Sequence, residues 1–395
     1  MSSGAMAAVR ERVRRLGPLP YDDLVDAALY GPGGFFAEGG GAGRRADFLT
    51  SPEVGPLFGA VIGRFLDEEW DRLGQPNFFL VVEAGAGRGA LAQAVLAGEP
   101  RCLQALRYVC VERSQVLRAR IESSLAVEPA INIFGTLDHD DDDFTAPSVA
   151  ASVAGSPGPI VTVLDDLPAL SFSGVLFANE LLDNLSFRLI ERVGPRHEGS
   201  DRRPYWAEVR VGLSDDDRTL VEVLVEASGD LEAEAERLAP DAPVGARLPL
   251  QGGAQSWLHH ALSILDRGRL VVIDYADHSS SLVTRPWRDW VRTYCAHDRG
   301  GHPLDDLGDQ DITCEVALDQ LARVRAPDLD TSQSEWLKRH GVDVLVDEAR
   351  ETWRERAAIG DLRAMVARSR IGEADALTDP KGLGAFRVLE WVNDG

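Results

Sequence analysis

Six residues, Gly85-Ala86-Gly87-Arg88-Gly89-Ala90, constrain this chain more than any others. They follow the apolar run Phe78-Phe79-Leu80-Val81-Val82, and Ala90 to Leu96 then reads as a helix. Five apolar residues in a row suit a strand covered on both faces. Alternating glycines let the backbone turn sharply and come within contact distance of a ligand. A helix that opens directly after such a turn presents free N–H groups. Strand, glycine turn and helix in that order predict a nucleotide-cofactor site in an α/β sheet. A plain turn would gain nothing from three alternating glycines, which cost backbone entropy.

The spacing alone leaves two cofactors open. Read as G-x-G-x-G, the loop fits S-adenosylmethionine; read as G-x-G-x-x-A, ending at Ala90, it fits a dinucleotide. Glu83, at the tip of the strand, discriminates between them. A carboxylate there repels a pyrophosphate and favours a ligand that carries an ammonium and a sulfonium. The next strand, Arg107 to Val111, runs into Glu112. An acid at that tip hydrogen-bonds ribose hydroxyls, which both cofactors possess, and it equally suits the start of an exposed helix. A hydride-transferring oxidoreductase would need a hydride-transfer site, and no Tyr-x-x-x-Lys pair is present. The lysines are Lys338 and Lys381, and neither has a tyrosine four positions before it.

Composition narrows the setting. A chain of 395 residues can bury one large core or two. No run approaches the roughly 18 apolar residues of a membrane helix, and the start lacks an apolar leader, so a cytoplasmic protein is expected. Net charge of −23 opposes binding to nucleic-acid phosphate but not to a basic peptide. Cys102, Cys110, Cys295 and Cys314 are scattered, form no metal set and read as buried thiols. The acidic run Asp138 to Asp143 lacks the glycine of a calcium loop and reads as solvated.

Along the chain, Tyr21 to Tyr30 reads as a helix stopped by Gly31-Pro32-Gly33-Gly34. Thr50-Ser51-Pro52-Glu53 is a helix start, with Thr50 as cap and Glu53 able to close a capping box. Val54, Leu57, Phe58, Val61, Ile62, Phe65, Leu66 and Trp70 continue it at helical spacing. Gln115 to Leu125, Trp257 to Leu265, Ser334 to His340 and Val342 to Arg370 read as helices. Ile160 to Leu164, Val175 to Ala178, Tyr205 to Val211, Leu220 to Val225, Arg269 to Tyr275 and Ala385 to Trp391 read as strands. This alternation predicts an α/β fold: a mostly parallel, Rossmann-like sheet with helices on both faces. The last strand, close behind a helix and a glycine turn, is placed to join antiparallel.

Ligands of such sheets bind beyond the carboxyl ends of the strands. Asn179, Glu180 and Asp183 stand there, after the Val175 to Ala178 strand. Carboxylates grip a guanidinium through paired, charge-assisted hydrogen bonds. The alternative is that Glu180 and Asp183 merely cap a following helix.

Four segments, with a fifth later in the chain, make the sequence similar to the MidA-like family of S-adenosylmethionine-dependent methyltransferases. They are Tyr30-Gly31-Pro32-Gly33-Gly34-Phe35-Phe36, Asp47-Phe48-Leu49-Thr50-Ser51-Pro52-Glu53, Glu83-x-Gly85-x-Gly87-Arg88-Gly89-x-Leu91, Ala178-Asn179-Glu180-Leu181-Leu182-Asp183 and Asp311-Ile312-Thr313. The resemblance implies a class I methyltransferase fold, with residues 1–75 as an N-terminal cap, 76–395 as the catalytic domain, and insertions around 191–255 and 276–335. It implies S-adenosylmethionine held by Glu83, Gly85, Gly87, Gly89 and Glu112. It implies Asn179, Glu180 and Asp183 as the acceptor-orienting residues, with Asp47, Ser51 and Glu53 closing over them. The implied acceptor is a protein arginine, in a respiratory-complex subunit. A scaffold that keeps the fold without turnover is the alternative. Phe35 and Phe36 stand where the family carries tyrosines, Ala46 where it carries glycine and Ser186 where it carries proline.

Overall fold

The computed structural model describes residues 4–41, 50–135, 157–195, 204–295 and 298–395. Asp47, Ala46 and the acidic run at 138–143 lie outside them.

Seven strands form the main sheet: β1 (Phe79–Ala84), β2 (Leu106–Val111), β3 (Ile160–Leu164), β4 (Phe172–Asn179), β5 (Leu265–Asp274), β6 (Leu329–Ser332) and β7 (Arg387–Asn393). Their order is β6-β7-β5-β4-β1-β2-β3. The pairings from β5 to β3 are parallel; β7 runs antiparallel to both β5 and β6. Every residue of β1 and β2 is buried, as expected of strands with a layer of helices on each side. On one side Val81, Tyr108, Phe177 and Ile273 pack against helices Pro56–Arg72, Ala90–Ala97 and Gln333–Arg339. On the other, Val82, Val109, Leu176 and Val272 meet helix Gly252–Ser263.

A second sheet is wholly antiparallel. Leu19–Pro20, Tyr205–Leu213, Arg188–Val193 and Arg247–Leu250 lie side by side, and Leu220–Glu226 joins Tyr205–Leu213. Helices Gly4–Leu16 and Tyr21–Tyr30 share a core with it through Val9, Leu24, Val25, Leu189 and Val209. Three short strands around Val291–Cys295 form a third, antiparallel sheet. The fold is therefore α/β with mixed and antiparallel sheets, which corrects the expectation of one mostly parallel sheet.

Three local expectations also change. The helix that starts at Ser51 ends at Val54 and restarts at Pro56, because proline disfavours helical geometry in the residue before it. Thr50 makes no side-chain cap there. Instead, the Glu373 carboxylate accepts the Leu57 N–H at 2.9 Å and the Ser369 hydroxyl at 2.7 Å. A side chain at Gly55 would collide with it, a Cβ lying 2.2 Å from the Glu373 carboxyl carbon. The helical stretch from Val342 splits at Arg356, and Asp361 caps the second helix by accepting the Ala364 N–H. Cys295 is exposed; the other three cysteines are buried.

Replacing Glu373 with alanine should lower stability by about 1–3 kcal/mol, since a buried helix N–H loses its acceptor. Glu373→Gln, which keeps one acceptor oxygen, should lose less. Urea midpoints of the two variants check this.

Candidate functional site

The register of the parallel strands assembles the site. Ala84 pairs with Val111 on one side and Ala178 on the other, Val111 pairs with Leu164, and Asn179 pairs with Ile273. Gly85, Glu112, Asp165, Asn179 and Asp274 therefore lie at one edge of the sheet. Chain order reverses between β1 and β4, which is where an open sheet leaves a crevice. A cavity of about 810 Å³ fills it, lined by the glycine loop, Glu83, Glu112, Asp165, Asp166, Asn179, Glu180, Glu53 and Tyr30.

Gly85, Gly87 and Gly89 have φ of +73°, +56° and +75°, a region other residues rarely adopt. A Cβ at Gly87 would meet nothing within 4 Å, so backbone geometry and the open cavity set that position, not packing. Glu112 braces the loop. Its Oε2 accepts the Gly87 N–H at 2.9 Å and its Oε1 the Ser114 N–H at 2.8 Å. Each carboxylate oxygen keeps a second lone pair for a hydroxyl.

Glu83 is buried beneath the loop. It accepts the Tyr108 hydroxyl at 2.7 Å, and the Ala92 N–H in the first turn of the following helix also bonds to it. Burial raises its carboxyl to about 8 despite both bonds, with the nearby Glu112 adding to the rise. It borders the cavity while anchoring a helix start, a structural duty the sequence does not announce.

Asn179 donates from Nδ2 to Glu180 Oε1 at 3.0 Å, and its Oδ1 is buried without a partner. Glu180 itself has φ +51°, a strained conformation of the kind that persists where surrounding structure enforces it. Its N–H donates to Ile273 O at 2.8 Å, and its Oε1 accepts the Ser51 N–H at 3.2 Å. Burial lifts its carboxyl to about 8, with the charge of Asp183 adding to the rise. Asp183 does not line the cavity. It is buried, accepts the Tyr275 hydroxyl at 2.6 Å, and burial pushes it up to about 6. Behind it, Asp274 accepts the N–H groups of Leu182, Asp183 and Tyr275, fixing the turn that carries these residues.

The N-terminal residues near the cavity are placed by the same contacts. Ser51 meets Glu180 through its backbone, while its hydroxyl donates to Gln333 Oε1 at 3.0 Å and points away from the cavity. Glu53 lines the cavity and pairs with Arg88 at 3.8 Å. The Ser114 hydroxyl donates to Phe36 O at 2.6 Å, and the Arg113 guanidinium lies 4.4 Å over the Tyr30 ring. Phe36 lines the cavity, whereas Phe35 is buried in the N-terminal core. Sequence reasoning passed over Asp165, Asp166, Asp274 and Tyr275. Each follows or ends a strand, and the rule that placed Glu112 reaches them too.

An α/β edge of this kind defines a nucleoside-cofactor site. A family model described as "Putative S-adenosyl-L-methionine-dependent methyltransferase" matches residues 61–333, and the chain belongs to that family. It is similar to a Burkholderia thailandensis protein whose crystal structure holds S-adenosyl-homocysteine, with TM-score 0.75 and 26% identity, over 99% of this chain and 92% of that one. It is 24% identical to the zebrafish (Danio rerio) protein named protein arginine methyltransferase NDUFAF7, mitochondrial, over 83% of this chain and 74% of the relative. The Drosophila melanogaster homologue of that name is 38% identical over 22% of this chain, a match spanning 20% of the relative.

The cofactor is thus S-adenosylmethionine, and the residues present fit it: an open glycine cradle, a braced carboxylate and an unpartnered Asn179 oxygen. The expectation of a cytoplasmic protein does not hold, because the zebrafish, mouse and human relatives are named as mitochondrial proteins. Compartment leaves no mark in the chemistry of a cofactor site. Among the described residues no helix is long and apolar enough to cross a membrane, and no acid–histidine–cysteine group could hold a metal.

Glu112→Gln keeps one acceptor oxygen and turns the other into a donor facing a donor. Affinity for S-adenosyl-homocysteine should fall roughly 10-fold or more by calorimetry. Glu83 binds its proton more tightly in the folded state, so its contribution to stability is full below its ordinary value of 4.5 and lost as pH rises through about 8. The urea midpoint of the ligand-free protein should fall between pH 5 and pH 8, and fall less in Glu83→Gln.

Proposed function

We propose that this chain methylates the guanidinium of a protein arginine. The observation that carries the reading is Glu180, a carboxylate held at the cavity wall by Ser51 and Asn179, on the same sheet edge as the glycine loop. The names of the relatives support it, as does the suitability of a strongly acidic chain for a basic segment. The family resemblance extends the proposal to a respiratory-complex subunit as bearer of that arginine.

Bound S-adenosylmethionine supplies an electrophilic methyl group on a sulfonium. Gly85, Gly87 and Gly89 seat its methionine part, and Glu112 takes the ribose hydroxyls. Ionised Glu180 draws a guanidinium to the cavity and fixes its orientation through charge-assisted hydrogen bonds. It then accepts the proton that the nitrogen sheds on methylation and passes it to water. Asn179 holds Glu180 in line. Asp183 acts from behind through Tyr275 and the 181–184 turn. Ser51 and Glu53 close the acceptor side, while helix Pro56–Arg72, expected within a cap of 1–75, packs on the main sheet instead.

Glu180 has to be ionised to do this. With its carboxyl at about 8, kcat/KM for methyl transfer should rise with pH and level off above that value. Glu180→Gln should reduce transfer by roughly 100-fold or more and abolish that limb. Its affinity for S-adenosyl-homocysteine should stay within about 2-fold of the parent, a change under 0.5 kcal/mol. Full activity in this variant would remove Glu180 from the reaction.

A further inference from the structure

The large apolar side chains left exposed on the described residues are unevenly spread. Ile359, Leu362, Met365 and Val366 cluster where helix Val342–Arg356 gives way to helix Leu362–Thr378. Leu362 is 75% exposed and Met365 64%. Leu362, Met365 and Val366 stand at i, i+3 and i+4, so they share one face of their helix. Apolar residues grouped in this way mark an interaction surface.

That face adjoins a groove of about 600 Å³, lined by Met365, Trp353, Arg368, Glu373 and Val54. Val54 connects it to the cofactor cavity. It ends the one-turn helix Ser51–Val54, whose Pro52 and Glu53 line that cavity. A cleft of about 430 Å³ lies between the two. It shares Pro52, Glu53 and Arg88 with the cavity, and its Gly55 abuts the Glu373 carboxylate in the groove. Depressions in the surface thus run from Glu53 at the cavity, around Ser51–Val54, to the helical hairpin.

Charge changes sign along this path. Glu53 and Glu180 line the cavity, whereas Arg354, Arg363, Arg368 and Arg370 stand on the hairpin near the apolar cluster. The Arg368 guanidinium lies 5.5 Å over the Trp353 ring in the groove. In a chain of net charge −23, this local excess of arginine calls for an acidic group on whatever docks there. A second copy related by a two-fold axis would set these arginines against themselves. A bilayer would cover the apolar tip but leave the cleft toward the cavity unexplained.

We infer that the groove is a docking site for the protein that carries the methylated arginine. An apolar side chain of that protein seats against Met365 and Trp353, a neighbouring carboxylate meets Arg368, and the intervening chain follows the cleft to the cavity. The inference rests on the arginine reading above and names what else the substrate must carry. Crossing a helix about 10–12 Å wide takes about four extended residues, so anchor and arginine stand at least that far apart.

Transfer from methyl-tritiated S-adenosylmethionine to proteins of a mitochondrial extract tests this, with label counted in methylarginine. Leu362→Ser combined with Met365→Ser alters only exposed side chains, so affinity for S-adenosyl-homocysteine should stay within about 2-fold of the parent. Labelling at low extract concentration should fall about 10-fold and recover as the extract is concentrated, the mark of a raised KM with kcat retained. Arg368→Glu should act in the same direction. Undiminished labelling by the double variant would overturn the inference, and so would a loss that concentration does not relieve. Sedimentation, and flotation with vesicles of phosphatidylcholine and phosphatidylglycerol, complete the test. Self-association or vesicle binding that the double variant abolishes while labelling stays unchanged would assign the face to a second copy or to a bilayer instead. No methylarginine from the parent protein would overturn the arginine reading itself, and this inference with it.

Discussion

The hydrogen bond from the Gly87 N–H to Glu112 is the contact on which the site depends. It ties the loop after β1 to the tip of β2, and its second arm, to the Ser114 N–H, orients the start of the next helix. The Ser114 hydroxyl in turn holds the N-terminal segment at Phe36. One carboxylate thus couples the cofactor loop, the sheet edge and the segment that covers them. The energetics are finely set, because burial raises the carboxyl of Glu112 while the two N–H donors favour its charge.

The same logic repeats at the tip of β4. Asp274 gathers three backbone N–H groups and so fixes the turn after β4. Glu180, just before that turn, has a strained backbone and accepts the Ser51 N–H. Strain, burial and a raised carboxyl at one residue, beside a cofactor cavity, form the pattern expected where chemistry is done. Gln333 links this region to the far helices, accepting from the Ser51 hydroxyl and donating to Leu377 O.

Much of this was legible in the sequence for a physical reason. Period and composition report burial, so β1, β2 and β5 stand out as apolar runs, and their tips carry the residues that matter. Glycine at positive φ is legible as well, since only a turn or a ligand demands it. Long-range duties are not. Glu373 capping a helix more than 300 positions away, Glu83 anchoring a helix start and Asp183 turning from the cavity toward Tyr275 depend on tertiary packing. The antiparallel sheet around Tyr205–Leu213 was only partly visible, because its Leu19–Pro20 edge strand is two residues long and comes from the other end of the chain.

The most direct measurement is the chemical identity of the labelled product. The purified protein would be incubated with methyl-tritiated S-adenosylmethionine and a mitochondrial protein extract, and the labelled proteins hydrolysed and resolved as amino acids. Label in methylarginine is the expected result, and it should vanish when excess S-adenosyl-homocysteine fills the cofactor site. Label confined to another amino acid, or incorporation that excess S-adenosyl-homocysteine leaves untouched, would contradict arginine methylation at this site.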